Sequence, residues 1–130
     1  MECGKCVAVC PMAEMYPDFG WKMSPRGVIR RTLMGEQILG DPVIWHCTGC
    51  NAGTEVCPEG VSCRELIRGL RQLAVETGEA APIRNCVLCG APLLPRPVDK
   101  YVQARLGNSV GEYLDTCPAC RQRRYALRNA

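Results

Sequence analysis

Aromatic side chains are scarce in this chain of 130 residues, at 5% of the total with a single phenylalanine. A short chain without them cannot fill an ordinary hydrophobic core, and such chains are usually held by disulfides or by metals. Long apolar runs are missing too. None approaches the roughly 18 residues that would cross a bilayer, so the sequence holds no membrane span and is expected to be soluble or tethered only through partners. A strong charge imbalance is also lacking: 16 Lys and Arg stand against 13 Asp and Glu, a net +3 that argues little for nucleic acid. No secretory signal precedes the first cysteines. The expected compartment is therefore the reducing cytoplasm, and the length fits one or two small units.

What the chain does have is cysteine, eleven of them. They recur as Cys-x2-Cys and Cys-x3-Cys, spacings that suit thiolate ligation of a metal better than disulfide pairing. The central stretch runs His46-Cys47-Thr48-Gly49-Cys50-Asn51-Ala52-Gly53-Thr54-Glu55-Val56-Cys57-Pro58. Four-iron clusters are commonly held by Cys-x2-Cys-x2-Cys-x3-Cys-Pro, in which the first three thiolates take one cluster and the last reaches the other. Cys47, Cys50 and Cys57-Pro58 fit that frame, but Gly53 stands where its third cysteine belongs. A second copy, Cys3-x2-Cys6-x3-Cys10-Pro11, supplies the second, third and fourth positions of the same run. Its first cysteine would fall one position before Met1.

Between these runs, Ser24-Pro25 predicts the start of a helix, serine as N-cap and proline at the first helical position. Val28, Ile29, Leu33 and Ile38 recur along it, with Arg26, Arg30 and Arg31 facing outward or towards a partner, and Gly40-Asp41-Pro42 ends it. Val43-Ile44-Trp45 leads back to the central run, with Trp45 packed as core beside a cluster. Ser62-Cys63-Arg64-Glu65 is a capping box, and Leu66, Ile67, Leu70, Leu73 and Ala74 share one face of the helix that follows, ending near Thr77-Gly78. The 36 residues between Cys10 and Cys47 exceed the spacer of a compact two-cluster ferredoxin. The expected fold is mainly α: an all-helical ferredoxin over residues 1–78, then a linker over 79–85.

Residues 86–130 differ in character. Cys86-x2-Cys89-Gly90 and Cys117-Pro118-x-Cys120 are two knuckles 27 residues apart, the arrangement of a zinc ribbon with four thiolates, and a closed site of this type is structural. Rubredoxin-like iron is the main alternative metal. A basic helical tail follows, with Arg121, Arg123, Arg124 and Arg128 around Tyr125, more often a solvated or partner-facing surface than a nucleic-acid site.

The first 78 residues resemble the C subunit of heterodisulfide reductase, a helical two-cluster electron carrier. The resemblance rests on Cys-Gly-Lys-Cys-Val-Ala-Val-Cys-Pro at 3–11, Ser-Pro-Arg-Gly-Val-Ile-Arg at 24–30, Ile-Trp-His-Cys-Thr-Gly-Cys at 44–50 and Cys-Pro-Glu-Gly-Val at 57–61. Residues 84–124 are similar to the cysteine ribbons of some hydrogenase-associated ferredoxin-type subunits. The resemblance implies electron relay between a flavin or hydrogenase subunit and a disulfide-reducing catalytic subunit, in an anaerobic complex. It also implies a first cluster on Cys3, Cys6 and Cys57 and a second on Cys47, Cys50 and Cys10, with the proline-linked cysteines crossing over. Family members commonly read Cys-Met-Glu-Cys-Gly-Lys-Cys at the start, so the first cluster's missing ligand is expected upstream of Met1.

Gly53 leaves the second cluster one thiolate short, and three outcomes stay open. The cluster has three irons; or it has four, with water or a partner's residue on the last; or Cys63, at the first turn of a helix whose dipole favours a thiolate, completes it. The bland reading of Cys63 is a small buried hydrophobe. His46 either hydrogen-bonds a cluster sulfur or simply packs. Lys5, Lys22 and the helix arginines can offset the charge of a reduced cluster. Two functions beside relay are compatible with these residues: a metal-ribbon binding module with a sensory iron–sulfur site, contacting nucleic acid or a protein, and an enzyme using a vacant iron as Lewis acid. The last has only Glu55 and Glu59 near the gap.

Overall fold

The computed structural model describes residues 3–107 and 110–128. The chain divides into two compact units, residues 1–81 and 82–130.

The first unit is built from short helices joined by tight turns: α1 (Lys5–Ala8), α2 (Met12–Met15), a 3-10 turn at Trp21–Met23, α3 (Pro25–Leu33), α4 (Val43–His46), α5 (Ala52–Glu55) and α6 (Cys63–Glu76). Only α3 and α6 exceed one turn, and both start where their caps predict. Ser24 accepts the Gly27 N–H at 3.0 Å and donates to the Trp21 carbonyl at 2.7 Å, binding the 3-10 turn to α3. Gly27 is required by that closeness, because a Cβ there would lie 1.9 Å from the Trp21 carbonyl oxygen. Ser62 likewise accepts the Glu65 N–H at 3.3 Å.

Both long helices stop at a glycine with positive φ. Gly35 (φ 71°) follows α3 and Gly78 (φ 78°) follows α6. In each the next two N–H groups reach back into the last turn, as Gly35 N to Thr32 O and Glu36 N to Arg31 O show for α3. So α3 ends seven residues before Gly40, and two expectations change. Ile38 is buried, but as part of the loop, while Leu33 at the helix end is 82% exposed. Arg31 also does not face outward. It is buried, and its guanidinium bridges Glu36 at 2.7 Å and Asp41 at 2.6 Å, tying the loop to the helix. Burial raises the Asp41 carboxyl, yet the Val43 N–H and Arg31 outweigh it and hold the group below the usual carboxylate range.

Val28, Ile38, Ile44, Trp45, Ile67, Leu70 and Ala74 are the buried apolar side chains where α3, α4 and α6 meet. Leu73, assigned to the same face of α6, is about half exposed. A second buried group of Met12, Tyr16 and Met23 packs against Cys10, Phe19, Val43 and Cys47, which places apolar walls beside the ligand runs.

The second unit opens with β1 (Ile83–Asn85), paired antiparallel with β2 (Pro92–Pro95), followed by α7 (Arg96–Leu106), α8 (Gly111–Leu114) and α9 (Pro118–Arg128). Residues 83–85, read as linker from their sequence, are therefore a strand. The local pattern Ile-Arg-Asn carries no strand signal, and its order comes from pairing across the first knuckle and from Arg84. That guanidinium bridges buried Asp99 of α7 at 2.7 Å and also Asp115, just before the second knuckle. Among the described residues no helix is long and apolar enough to cross a membrane.

Candidate metal centres

The two cysteine runs fold alike. Shifted by 47 residues, Cys3 falls on Cys50, Cys10-Pro11 on Cys57-Pro58 and α1 on α5, so the repeat written in the sequence is also a repeat of structure. The same shift sets Cys6 on Gly53. Helices α1 and α5 pack together, and at their contact these two equivalent positions meet: a Cβ on Gly53 would lie 3.4 Å from the Cβ of Cys6.

Beside this contact is a cavity lined by Cys6, Cys10, Cys47, Cys50, Gly53 and Cys63, with Met12, Met23, Val28, Val43 and Ile67 as apolar wall. The structure thus brings five predicted ligand cysteines together from three segments. Cys3, which is exposed, and Cys57, which is half-buried, do not line the cavity. Burial raises the thiols of Cys10 and Cys47, partly offset by the backbone N–H groups of Met12 and Gly49. The Cys63 thiol is pushed up to about 12, first by burial and then by the nearby sulfurs of Cys47, Cys10, Cys6 and Cys50. Thiols held so far from ionisation carry little charge until a metal takes the proton's place.

The loop bearing Cys47 is fixed by a residue that pattern reading missed. Arg71 of α6 donates to the carbonyls of Ile44 at 2.8 Å and Cys47 at 2.6 Å, and its guanidinium lies 5.5 Å from the centre of the Trp45 ring. On a helical wheel it is simply a polar residue next to the apolar face. The Gly49 N–H donates to the Cys47 sulfur at 3.4 Å, the kind of contact that tunes a cluster's potential. His46 is held through one ring nitrogen and its ring face. Its Nδ1 donates to the Pro42 carbonyl at 2.9 Å, and the ring stands edge-on to Tyr16, whose hydroxyl donates to the His46 carbonyl at 3.0 Å.

Spacing separates the two kinds of centre. Tetrahedral ligation at about 2.3 Å from metal to sulfur puts the sulfurs of a mononuclear site roughly 3.8 Å apart, whereas a cluster's own irons hold its ligands further apart. Among the described residues, the ligand-type side chains that gather within 4.8 Å of one another are Cys86, Cys89, Cys117 and Cys120. Cys89 and Cys117 are 3.6 Å apart at sulfur. The N-terminal cysteines ring a cavity instead, and a thiolate-lined, apolar-walled cavity with N–H donors to sulfur fits an iron–sulfur cluster.

The second centre is assembled from a hairpin and a helix. Cys86 and Cys89 lie in the β1–β2 turn, and Cys117 and Cys120 occupy the start of α9, where Pro118 is the first helical residue. The Cys117 N–H donates to Cys86 sulfur at 3.3 Å, and this bond is the main reason the Cys86 thiol falls to about 6. The Cys120 N–H does the same for Cys117 at 3.4 Å and lowers its thiol as well. Three of the four cysteines are buried, which leaves little room for an open coordination position. Helix α7 had no assignment from the sequence. Pro97 in its first turn and Gly107 just past its end were the available signals, but only Asp99 of the whole helix is buried.

Comparison with known proteins agrees with the first of these centres. Residues 1–61 match the model of the 4Fe-4S dicluster domain. That match lies within the first unit. The chain is similar to a heterodisulfide reductase C-subunit-like protein of Archaeoglobus profundus, 35% identical over 78 residues, which is 58% of this chain and 39% of that protein. It is 31% identical over 88 residues to the C subunit of the H2:CoB-CoM heterodisulfide, ferredoxin reductase of Methanothermobacter thermautotrophicus, covering 66% of this chain and 45% of the relative. The C subunit of the ferredoxin:CoB-CoM heterodisulfide reductase of Methanosarcina acetivorans is 32% identical over 79 residues, 60% of this chain and 30% of that protein. The chain thus spans less than half the length of these relatives. No solved structure matches it. The first unit is thus similar both to the 4Fe-4S dicluster domain and to these C subunits.

Proposed function

We propose that the chain is an electron-transfer subunit of a cytoplasmic, anaerobic redox complex of the heterodisulfide reductase or hydrogenase type, relaying electrons between a flavin or hydrogenase subunit and a catalytic subunit. The observation that carries this is the crossover: Cys10, from the first cysteine run, lines the same cavity as Cys47 and Cys50 from the second. That sharing is what a two-cluster carrier needs and what a pair of independent knuckles would not produce. Cys47, Cys50 and Cys10 hold the second cluster, and Cys3, Cys6 and Cys57 hold the first. When bound, such clusters supply one-electron transfer at potentials set by burial, charge and hydrogen bonds to sulfur. The chain's own part is positional. Arg71 pins the Cys47 loop, Gly49 donates to its sulfur, and Met12, Met23, Val28 and Ile67 keep water from one side of the cavity.

The four-thiolate centre of the second unit takes zinc as a closed structural site, in the manner of a zinc ribbon, and docks the chain in its complex. The test is a pair of variants in the full chain. Cys10→Ser removes the iron of the second cluster and leaves zinc, while Cys86→Ser removes zinc and leaves iron. Equal loss of both metals from each variant contradicts the assignment. One observation favours the reading as a binding module: a groove beside α9 in which Arg121, Arg124 and Arg128 outnumber the one carboxylate, Glu112, and Tyr113 and Tyr125 add aromatic faces, a lining suited to an anionic partner. Tight, strongly salt-dependent binding of nucleic acid would favour it over relay.

A further inference from the structure

The 47-residue repeat accounts for every cysteine of the first unit but one. Cys3 pairs with Cys50, Cys10 with Cys57, Cys6 with Gly53, and Cys47 with the position before Met1. Cys63 has Tyr16 as its counterpart, a buried core residue, so the frame gives no reason for a cysteine there. The same frame is short of one internal thiolate, at Gly53. The unit therefore holds one missing ligand and one surplus cysteine, and both line a single cavity together with Cys10, Cys47 and Cys50.

We infer that Cys63 is the fourth ligand of the second cluster, replacing the thiolate that Gly53 cannot provide. This rests on the iron–sulfur reading given above. Cys63 is placed for the task by its helix and not by a ligand loop. It is the first residue of α6, whose start is held by the Ser62 cap and whose Ile67, Leu70 and Ala74 are buried in the core, so the position of the sulfur is set by a rigid 14-residue element. Arg64, the next residue, lines the same cavity and offsets added negative charge. The other candidate, Cys6, is already required by the first cluster and sits against Gly53 through its equivalent place in the repeat. With Cys63 as ligand, no iron of the second cluster is left open for water, and the site is closed for electron transfer.

The test uses the full chain, anaerobically loaded with iron and sulfide, with iron and zinc counted and the oxidised state read by electron paramagnetic resonance. Cys63→Ala is expected to lose about one iron per chain and gain a three-iron signal, or to lose the whole second cluster, with zinc content unchanged. The deciding variant is Cys63→Ala combined with Gly53→Cys. Gly53 has no positive φ, and a Cβ there would lie 3.4 Å from the Cβ of Cys6, so the backbone admits a side chain at this position. Restoration of the iron count and loss of the new signal in this double variant support the inference. An unchanged iron count and spectrum in Cys63→Ala overturn it, as does a loss that Gly53→Cys does not reverse. A wild-type chain that takes up no iron overturns the iron–sulfur reading and this inference with it.

Discussion

Replacing Arg71 by methionine removes the clamp on the central ligand loop while keeping a long side chain that packs along α6. Two charge-assisted hydrogen bonds go, to the carbonyls of Ile44 and Cys47, and with them the contact over Trp45. Ile44 is fully buried and Cys47 half-buried, so neither carbonyl is freely rehydrated. At the low end for charged hydrogen bonds, each is worth about 1.5 kcal/mol, for a total of about 3 kcal/mol. Total stabilities of about 5–15 kcal/mol are usual for small domains, so this is a large fraction. The assay follows from where the tryptophans stand. Trp21 and Trp45 both belong to the first unit, so their fluorescence reports on it alone. In urea, with a slope of about 1 kcal/mol per molar for a unit this small, the midpoint of Arg71→Met drops by roughly 2–3 M. Arg71→Lys recovers at most about half, because an ammonium cannot serve two carbonyls in the fork geometry of a guanidinium. A midpoint for Arg71→Met within about 0.5 M of wild type would refute the clamp.

Gly27→Ala forces a Cβ onto the Trp21 carbonyl, a backbone atom that cannot swing aside, and should lower the stability of the first unit by about 1–3 kcal/mol in the same urea assay. Asp41→Ala leaves buried Arg31 with the exposed Glu36 as its remaining bridge and should cost about 2 kcal/mol, discounted because Asp41 itself is partly exposed. The same Asp41 makes the first unit acid-sensitive. Its carboxyl is held low in the folded state, so its stabilisation is present above the ordinary carboxylate value near 4 and is lost as pH falls below it. Urea midpoints of wild type should therefore fall more steeply below about pH 4 than those of Asp41→Asn.

How much of this was legible in the sequence depends on the range of the cause. Ser24-Pro25 and Ser62-x-x-Glu65 marked helix starts because a cap acts within three residues, and both caps are present. The end of α3 was misplaced because Ile38 keeps an apolar rhythm past Gly35, where the backbone has already turned; its burial comes from the loop that Arg31 and Asp41 hold down. Strand β1 was invisible for the same kind of reason, since Arg84 is ordered by carboxylates 15 and 31 residues away. The ligand runs were legible as spacing and as a repeat. What spacing cannot show is a contact between segments: the sequence left Cys63 as one of three ways to complete the second cluster, and only the fold places it in the same cavity as Cys10, Cys47 and Cys50 and brings Arg71 from α6 to the Cys47 loop.

On the reading proposed above, the N-terminal cysteines hold iron–sulfur clusters and the C-terminal four hold a single structural metal. Anaerobic metal analysis of the full chain, with sulfide quantified beside iron, tests it most directly. Iron and acid-labile sulfide for two clusters, together with one zinc per chain, are the expected result. Near-zero iron with two or more zincs would show the cysteines to be structural knuckles throughout, and electron relay would fall with them.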